Sequence, residues 1–449
     1  MILRHPGISP TNDLVVKKIF SNPEITCQFI RDMLDLPAKN VTILEGSNIH
    51  VLPSLPYSAQ DFYTSIDVLA ELDNGTQVII EIQVHHQNFF INRLWAYLCS
   101  QVNQILEKIV PINDTALEEG VKVCDRLAKP LGALGKMEKI YAKLYAMFPN
   151  KIQLSKKIVM IYVADNGICE EGISSNPIET TFIVANNIRN GKAGVCNIAK
   201  HAGSDICVID IGCKSQIYSD NPDHVLHGTR NMLKEAAMTR EQAIEAILVG
   251  YRRTVEKINQ GYTLFGTGEM GVGNTTTSAA VIAATLGIPA QKVTGYGAGV
   301  TEEMKAHKTA VIQEAVTNHA PYSDIIDLVS KVGGLDILGM VGTYLACAQH
   351  QLPCVIDGLI SLTGLLIASQ LKKEVVDYCF PSHCSTEPGY QIVSDYLGLS
   401  PMLLMDMRLG EGSGCPLAFF LMESSVYTIE RMPTFEEGKL DRDDYVDIR

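Results

Sequence analysis

The chain has no Cys-x-x-Cys pair: its twelve cysteines fall at irregular spacings. With no signal-peptide pattern at the N-terminus, they read as reduced, mostly buried thiols of a cytoplasmic protein. Excess positive charge is also missing. A formal net charge of −13 argues against tight, nonspecific binding to nucleic acid or to an anionic membrane. The longest clean apolar run near the C-terminal half, Leu359–Leu371, is too short to span a bilayer. What is present is an ordinary globular composition, 46% apolar and 19% charged, over 449 residues. That length predicts two or three domains rather than one.

The most informative stretch is Gly261–Gly287, GYTLFGTGEMGVGNTTTSAAVIAATLG. A short β-prone run, Tyr262–Phe265, leads into Gly266, Gly268, Gly271 and Gly273, and an Ala/Val/Ile-rich helical segment follows. Strand, glycine loop, helix is the order that aims free backbone N–H groups and a helix dipole at an anion. Gly266 to Gly271 also spells G-x-G-x-x-G, but a dinucleotide site needs an acidic residue about twenty positions on. Leu286–Thr294 offers none, and no Gly-Lys-Ser/Thr follows to make a nucleotide P-loop. Asn274, Thr275, Thr276 and Thr277 suit a monoester phosphate held by neutral donors with a cation supplied from elsewhere. Lys308, on a helix after a second glycine cluster (Gly295–Gly299), is the candidate cation.

Farther on, Arg408–Gly414 reads RLGEGSG. A glutamate between glycines sits on backbone that can approach a ligand closely, and the apolar helix after it would bury Glu411. Burial raises a carboxylate pKa toward a value useful for a general base. Apolar runs at Lys157–Ala164 and Asp205–Gly212 alternate with helical stretches such as Thr239–Gln260. The expected fold is therefore α/β, a mostly parallel sheet with helices on both faces. Ligands in such sheets bind outside the strand carboxyl ends, here the loops Ala164–Gly167, Gly266–Asn274 and Arg408–Gly414.

The N-terminal part reads differently. Strand candidates Thr64–Glu71 and Gln77–Val84 flank Asp-Asn-Gly-Thr, a strong hairpin signal. Asp67 on one strand and Glu81 and Gln83 on the other can hold a divalent metal between carboxylates. Ile109–Gly120 is the expected seam, dividing a 1–115 module from a 116–449 domain.

Two family resemblances follow. NDLVVKKIF, the hairpin with Asp67, Glu81 and Gln83, and FFINRLWAYL resemble the PD-(D/E)XK nuclease-like domain of a transposase-associated family over residues 8–105. Thirteen Asp/Glu against seven Lys/Arg through residue 118 make a poor footprint for a phosphate backbone. The expectation is a truncated, inactive α+β module; the alternative is metal-dependent DNA cleavage.

Residues of about 120–435 resemble nicotinate-nucleotide–dimethylbenzimidazole phosphoribosyltransferase. The carriers are GALG, EGIS, GEMGVGNTTT, GYGAG, VGG, IDG, SHCSTEPGY and RLGEGSG, in family order. The resemblance implies a parallel α/β domain with a small helical subdomain, a homodimer, and no cofactor or metal. It implies transfer of phosphoribose from nicotinate mononucleotide to a benzimidazole-type base, with Glu411 as the catalytic carboxylate. It assigns the phosphate and ribose to Gly271, Gly273, Asn274, Thr275, Lys308 and Ser385, and the base to Asn166, Ser174, Phe182 and Glu269. Three positions depart from the family pattern: Asn166 for a histidine, Ala133 for a serine and Phe182 for a glutamine. They lead to the expectation that the reaction is retained and the accepting base altered.

Overall fold

The computed structural model describes residues 101–449 except 216, 220, 298, 443–445 and 449. In the N-terminal part it describes residues 26–27, 41–44, 49–50, 63–64, 68–72 and 77–80. The chain divides into two compact units, Met1–Gln101 and Val102–Arg449.

In the first unit, strands β1 (Val41–Leu44), β4 (Val68–Leu72) and β5 (Gln77–Ile80) form an antiparallel sheet. Between β1 and β4, β2 (Ile49–His50) and β3 (Tyr63–Thr64) pair separately. The expected hairpin is the β4–β5 pair, with Val68 opposite Ile80 and Glu71 opposite Gln77. Asp67, Glu81 and Gln83 lie outside the described residues.

The second unit begins before the expected seam at 115/116. Val102, Ile105 and Ile109 are buried, and the next residues are fastened to the larger unit. The Tyr378 hydroxyl donates to the Val110 carbonyl at 2.9 Å, and the Ile112 N–H donates to Asp377 at 3.3 Å. Apolar side chains and backbone hydrogen bonds thus outweigh the loop-like composition that marked the seam.

The core of this unit is a five-stranded, all-parallel sheet: β6 (Lys157–Ala164), β7 (Asp205–Gly212), β8 (Leu264–Met270), β9 (Cys354–Ile356) and β10 (Cys379–Pro381). Its order is β10-β9-β8-β6-β7, so the winding reverses between β6 and β8. Ten helices frame the sheet and site: α1 (Asp114–Asp125), α2 (Lys136–Met147), α3 (Thr180–Arg189), α4 (Gly194–His201), α5 (Arg240–Asn259), α6 (Asn274–Leu286), α7 (Glu302–His319), α8 (Ile325–Val332), α9 (Leu335–Gln349) and α10 (Leu359–Leu371). Two more close the chain, α11 (Pro388–Tyr396) and α12 (Gly414–Ile429).

Successive residues of β8 show that both faces of the sheet are covered. A β-carbon on Gly266 would meet Cys415 and Phe419 of α12, whereas Thr267 Oγ1 bonds the Tyr344 hydroxyl of α9 at 2.6 Å. A capping box at Thr239 opens α5, with Gln242 returning the bond. Helices α1 and α2 pack together and α2 packs on α12. The segments beside them are joined by Ala128 N–H to Pro433 O at 2.9 Å and Phe435 N–H to Arg126 O at 3.0 Å. This is the helical subdomain built from both ends. The cysteines described in the second unit are free thiols, and all but Cys169, Cys207 and Cys384 are buried.

One expectation about the glycine stretch is corrected. Gly266 and Gly268 are not loop residues but lie inside β8. A β-carbon at Gly268 would come within 2.5 Å of the Glu411 carbonyl oxygen and 2.8 Å of Gly412 Cα. Gly268 lets the RLGEGSG turn lie directly on the strand, and Gly266 makes room for α12. Only Gly271 and Gly273 remain to shape the loop.

Candidate active site

A cavity of about 260 Å³ opens at the carboxyl ends of β8, β9 and β10. Its floor is Glu269–Thr276, one wall is Asp357–Ser361, and His383, Ser385 and Arg408–Glu411 close other sides. Of the three expected loops, Gly266–Asn274 and Arg408–Gly414 contribute through these residues, but Ala164–Gly167 does not line the cavity. That loop is buried beneath it: a β-carbon on Gly271 would come within 2.5 Å of the Ala164 carbonyl oxygen.

The anion-binding end is built around α6. Its N-cap, Gly273, has φ 87°, and no side chain caps the helix. That left-handed backbone starts the helix at the cavity floor, where Gly273, Asn274, Thr275 and Thr276 line it. Lys308 is 2% exposed, and its ammonium donates to Thr275 Oγ1 at 2.9 Å. Gly297, from the second glycine cluster, covers this pair, since a β-carbon there would lie 2.9 Å from Thr275 Oγ1. Gly297 N–H in turn donates to Glu387 at 2.9 Å. Burial pushes the Lys308 pKa down to about 8, with the Glu387 carboxylate opposing the shift. An incoming dianion would hold the charged form to higher pH.

Asn274 lines the cavity floor, and its side-chain amide is already engaged. Its Nδ2 bridges two buried carboxylates, Glu269 and Asp336, the latter at 3.0 Å. Burial, reinforced by the Asp336 charge, raises the Glu269 pKa to about 8, and burial lifts Asp336 to about 6. Two acids so close in a dry interior need that amide more than a ligand does. Ser385 lines the cavity and accepts the Glu387 N–H at 3.4 Å.

Glu411 borders the same cavity on a turn with φ 62°. Burial raises its pKa, and the Val195 N–H at the start of α4 opposes this from 3.4 Å. The turn is anchored from below: Gly412 and Gly414 donate their N–H groups to Asp357 at 3.1 and 2.7 Å. A cavity with an anion cradle and a proton-accepting carboxylate is equipped for a group transfer on a phosphorylated substrate.

A phosphoribosyltransferase family model matches residues 109–440, and a PD-(D/E)XK nuclease family transposase model matches residues 10–123. The nicotinate-nucleotide–dimethylbenzimidazole phosphoribosyltransferase of Clostridium tetani is 41% identical over 353 residues, covering 78% of this chain and 98% of that protein. The Geobacter sulfurreducens enzyme of that name is 39% identical, covering 77% and 99%. A crystal structure of CobT from Thermus thermophilus aligns with a TM-score of 0.70 at 34% identity, over 73% of this chain and 99% of its own. This chain belongs to the phosphoribosyltransferase family.

Within this phosphoribosyltransferase, the three departures from the family pattern find no place in the cavity wall. Asn166 is fully buried, donating to the Val272 carbonyl at 3.3 Å and accepting from Thr277 Oγ1 at 3.2 Å. Phe182 and Ala133 do not line the cavity, and Ala133 is exposed. Helix α3 instead presents Thr180 and Val184. Of the residues assigned to the base, Ser174 and Glu269 do line the cavity. The expectation that these departures retune the base therefore loses its contacts. Four residues at the site were not singled out in the sequence: Asp336, Asp357, His383 and Glu387. Asp357 carried a legible signal, an acidic residue at the carboxyl end of a parallel strand.

Proposed function

We propose that the Val102–Arg449 unit transfers the 5-phosphoribosyl group of nicotinate mononucleotide to a ring nitrogen of a benzimidazole-type base. The observation that carries this reading is a single cavity bordered by both the α6–Lys308 cradle and Glu411. The base nitrogen attacks C1′ from the face opposite the pyridinium. The glycosidic C–N bond breaks, and its electron pair returns to the pyridinium nitrogen, releasing neutral-ring nicotinate with inversion at C1′. The leaving group is already cationic and needs no acid. Glu411 takes the N–H proton of the attacking imidazole, and the phosphate cradle fixes the ribose for that attack. Ile173, Val184, Met270 and Leu409 supply apolar wall for a flat aromatic ring.

Nicotinate release from nicotinate mononucleotide, in the presence of 5,6-dimethylbenzimidazole, tests this reading. Both the full chain and residues 102–449 are expected to turn over, because the relatives match that part nearly end to end. No release from either would sink the proposal. Loss on truncation alone would make the N-terminal module part of the enzyme.

We read the protein as a cytoplasmic homodimer, on the strength of the family and the α12 aromatics Phe420 and Tyr427, which are exposed. Among the described residues no helix is long and apolar enough to cross a membrane. Sedimentation is expected at twice the 49.2 kDa chain mass; a 49.2 kDa species would refute the dimer.

A further inference from the structure

His383 borders the cavity but is only 3% exposed, so its ring presents one edge. It follows β10 on a segment pinned from both sides: Ser382 N–H donates to Ile356 O, and Cys384 N–H to Leu403 O, each at 2.9 Å. The glycine at 414 leaves room for the ring, since a β-carbon there would collide with Nδ1.

The hydrogen bonds on the far side of the ring decide its tautomer. The Ser382 hydroxyl donates its one proton to the Asp357 backbone carbonyl at 3.1 Å. Its oxygen, 3.0 Å from His383 Nδ1, must then accept, so Nδ1 carries the ring proton. The Asp357 carboxylate, 3.8 Å from Nδ1, favours the same assignment. Burial lowers the His383 pKa, which keeps the imidazole neutral. Nε2 is left as a bare lone pair. The Nε2–Cε1 edge faces Gly358, 3.9 and 4.0 Å from the place a β-carbon would occupy, and Gly358 is part of the cavity wall.

A bare lone pair repels phosphate and carboxylate oxygens and calls for a hydroxyl or N–H donor. The position of His383 selects between them. On one side, Ser385 and Glu387 lead through Gly297 to Lys308 and the anion cradle. On the other, Asp357 leads through Gly412 to Glu411. A sugar that joins a phosphate at one end to a reacting carbon at the other must lie between these groups. We propose that Nε2 of His383 accepts a hydrogen bond from a ribose hydroxyl of the phosphoribosyl donor. This rests on the transferase reading for the identity of that donor.

The test compares nicotinate mononucleotide with its 2′-deoxy and 3′-deoxy analogues by calorimetric Kd and by nicotinate release. Wild type is expected to bind one deoxy analogue roughly 2- to 12-fold more weakly, the range of one net hydrogen bond. His383→Asn keeps a donor where Nδ1 stood and has nothing at Nε2. It is expected to bind the ribonucleotide weaker by about the same factor and that deoxy analogue no more weakly than wild type does. His383→Gln, whose amide oxygen reaches the Nε2 position, is expected to recover part of the loss. Equal wild-type affinity for all three ligands overturns the proposal without any variant. So does an equal loss on all three in His383→Asn, or no binding of any by wild type. Wild-type binding with the expected discrimination but no nicotinate release would refute the transferase reading and leave the His383 contact standing.

Discussion

Glu411→Gln is expected to lower kcat for nicotinate release by about 10²- to 10⁴-fold, the usual worth of a positioned general base, with little change in the KM for nicotinate mononucleotide. Glutamine keeps the shape of the side chain and an oxygen to accept the Val195 N–H, so the turn should hold. What it removes is the lone pair that takes the imidazole proton. The pH profile makes the assignment sharper. Glu411 must be ionised to act, and burial holds its pKa above the ordinary carboxylate value. Wild-type kcat therefore falls as pH drops through that raised pKa. At the other end, Lys308 is charged only below about 8 in the empty site. Affinity for the substrate phosphate, read in kcat/KM, weakens as pH rises through that value. Glu411→Gln should erase the acid limb of kcat and leave the alkaline limb of kcat/KM. A variant with most of the wild-type kcat, or with its acid limb intact, would remove Glu411 from the role of base.

The second large effect is expected at Gly268, far from any substrate atom in sequence terms. An alanine β-carbon there would meet backbone only: the Glu411 carbonyl carbon at 2.7 Å and Gly412 Cα at 2.8 Å. No flexible side chain can swing away, so the turn itself must lift off β8. Gly412 is itself closely packed, since a β-carbon on it would lie 2.7 Å from Val159 Cγ1 and 3.0 Å from Gly268 Cα. Overpacking of this kind costs about 1–3 kcal/mol, readable as a lowered denaturant midpoint. Displacing Glu411 by about 1 Å should also cost roughly 10²-fold in kcat. Lys308 and Thr275 stand on other elements, so the KM for nicotinate mononucleotide should move far less than kcat. Wild-type kcat in Gly268→Ala would show that the turn does not depend on its contact with the strand.

Much of the fold was legible because the signals are local. Continuous apolar runs at Lys157–Ala164 and Asp205–Gly212 became β6 and β7 with their predicted bounds. The helical stretch Thr239–Gln260 became α5, whose start is fixed by bonding between Thr239 and Gln242 within one turn. The glycine loop followed by Asn274–Thr277 marked the start of α6, which the structure leaves without a side-chain cap. The misreadings have a common cause. Gly266 and Gly268 looked like loop because glycine is rare in strands, and the reasons for them lie about 150 residues away, on α12 for Gly266 and on the Glu411 turn for Gly268. Asn166 looked like a cavity residue because it follows a strand end, yet Gly271 and Gly334 pack against its amide.

From sequence alone, the chain was determined to carry a parallel α/β domain, a glycine loop leading into a helix at Asn274, and a glycine-flanked carboxylate at Glu411. Each depends on backbone geometry that a few adjacent residues dictate. Only the tertiary structure decided which buried polar groups share the cavity. Glu269, Asp357 and His383 come from three separate segments, and the strand order β10-β9-β8-β6-β7 brings the carboxyl ends that carry them together. Asn274 shows the physical reason most directly: its amide turned inward because two carboxylates, one of them on a different helix, were left dry and close enough to require it.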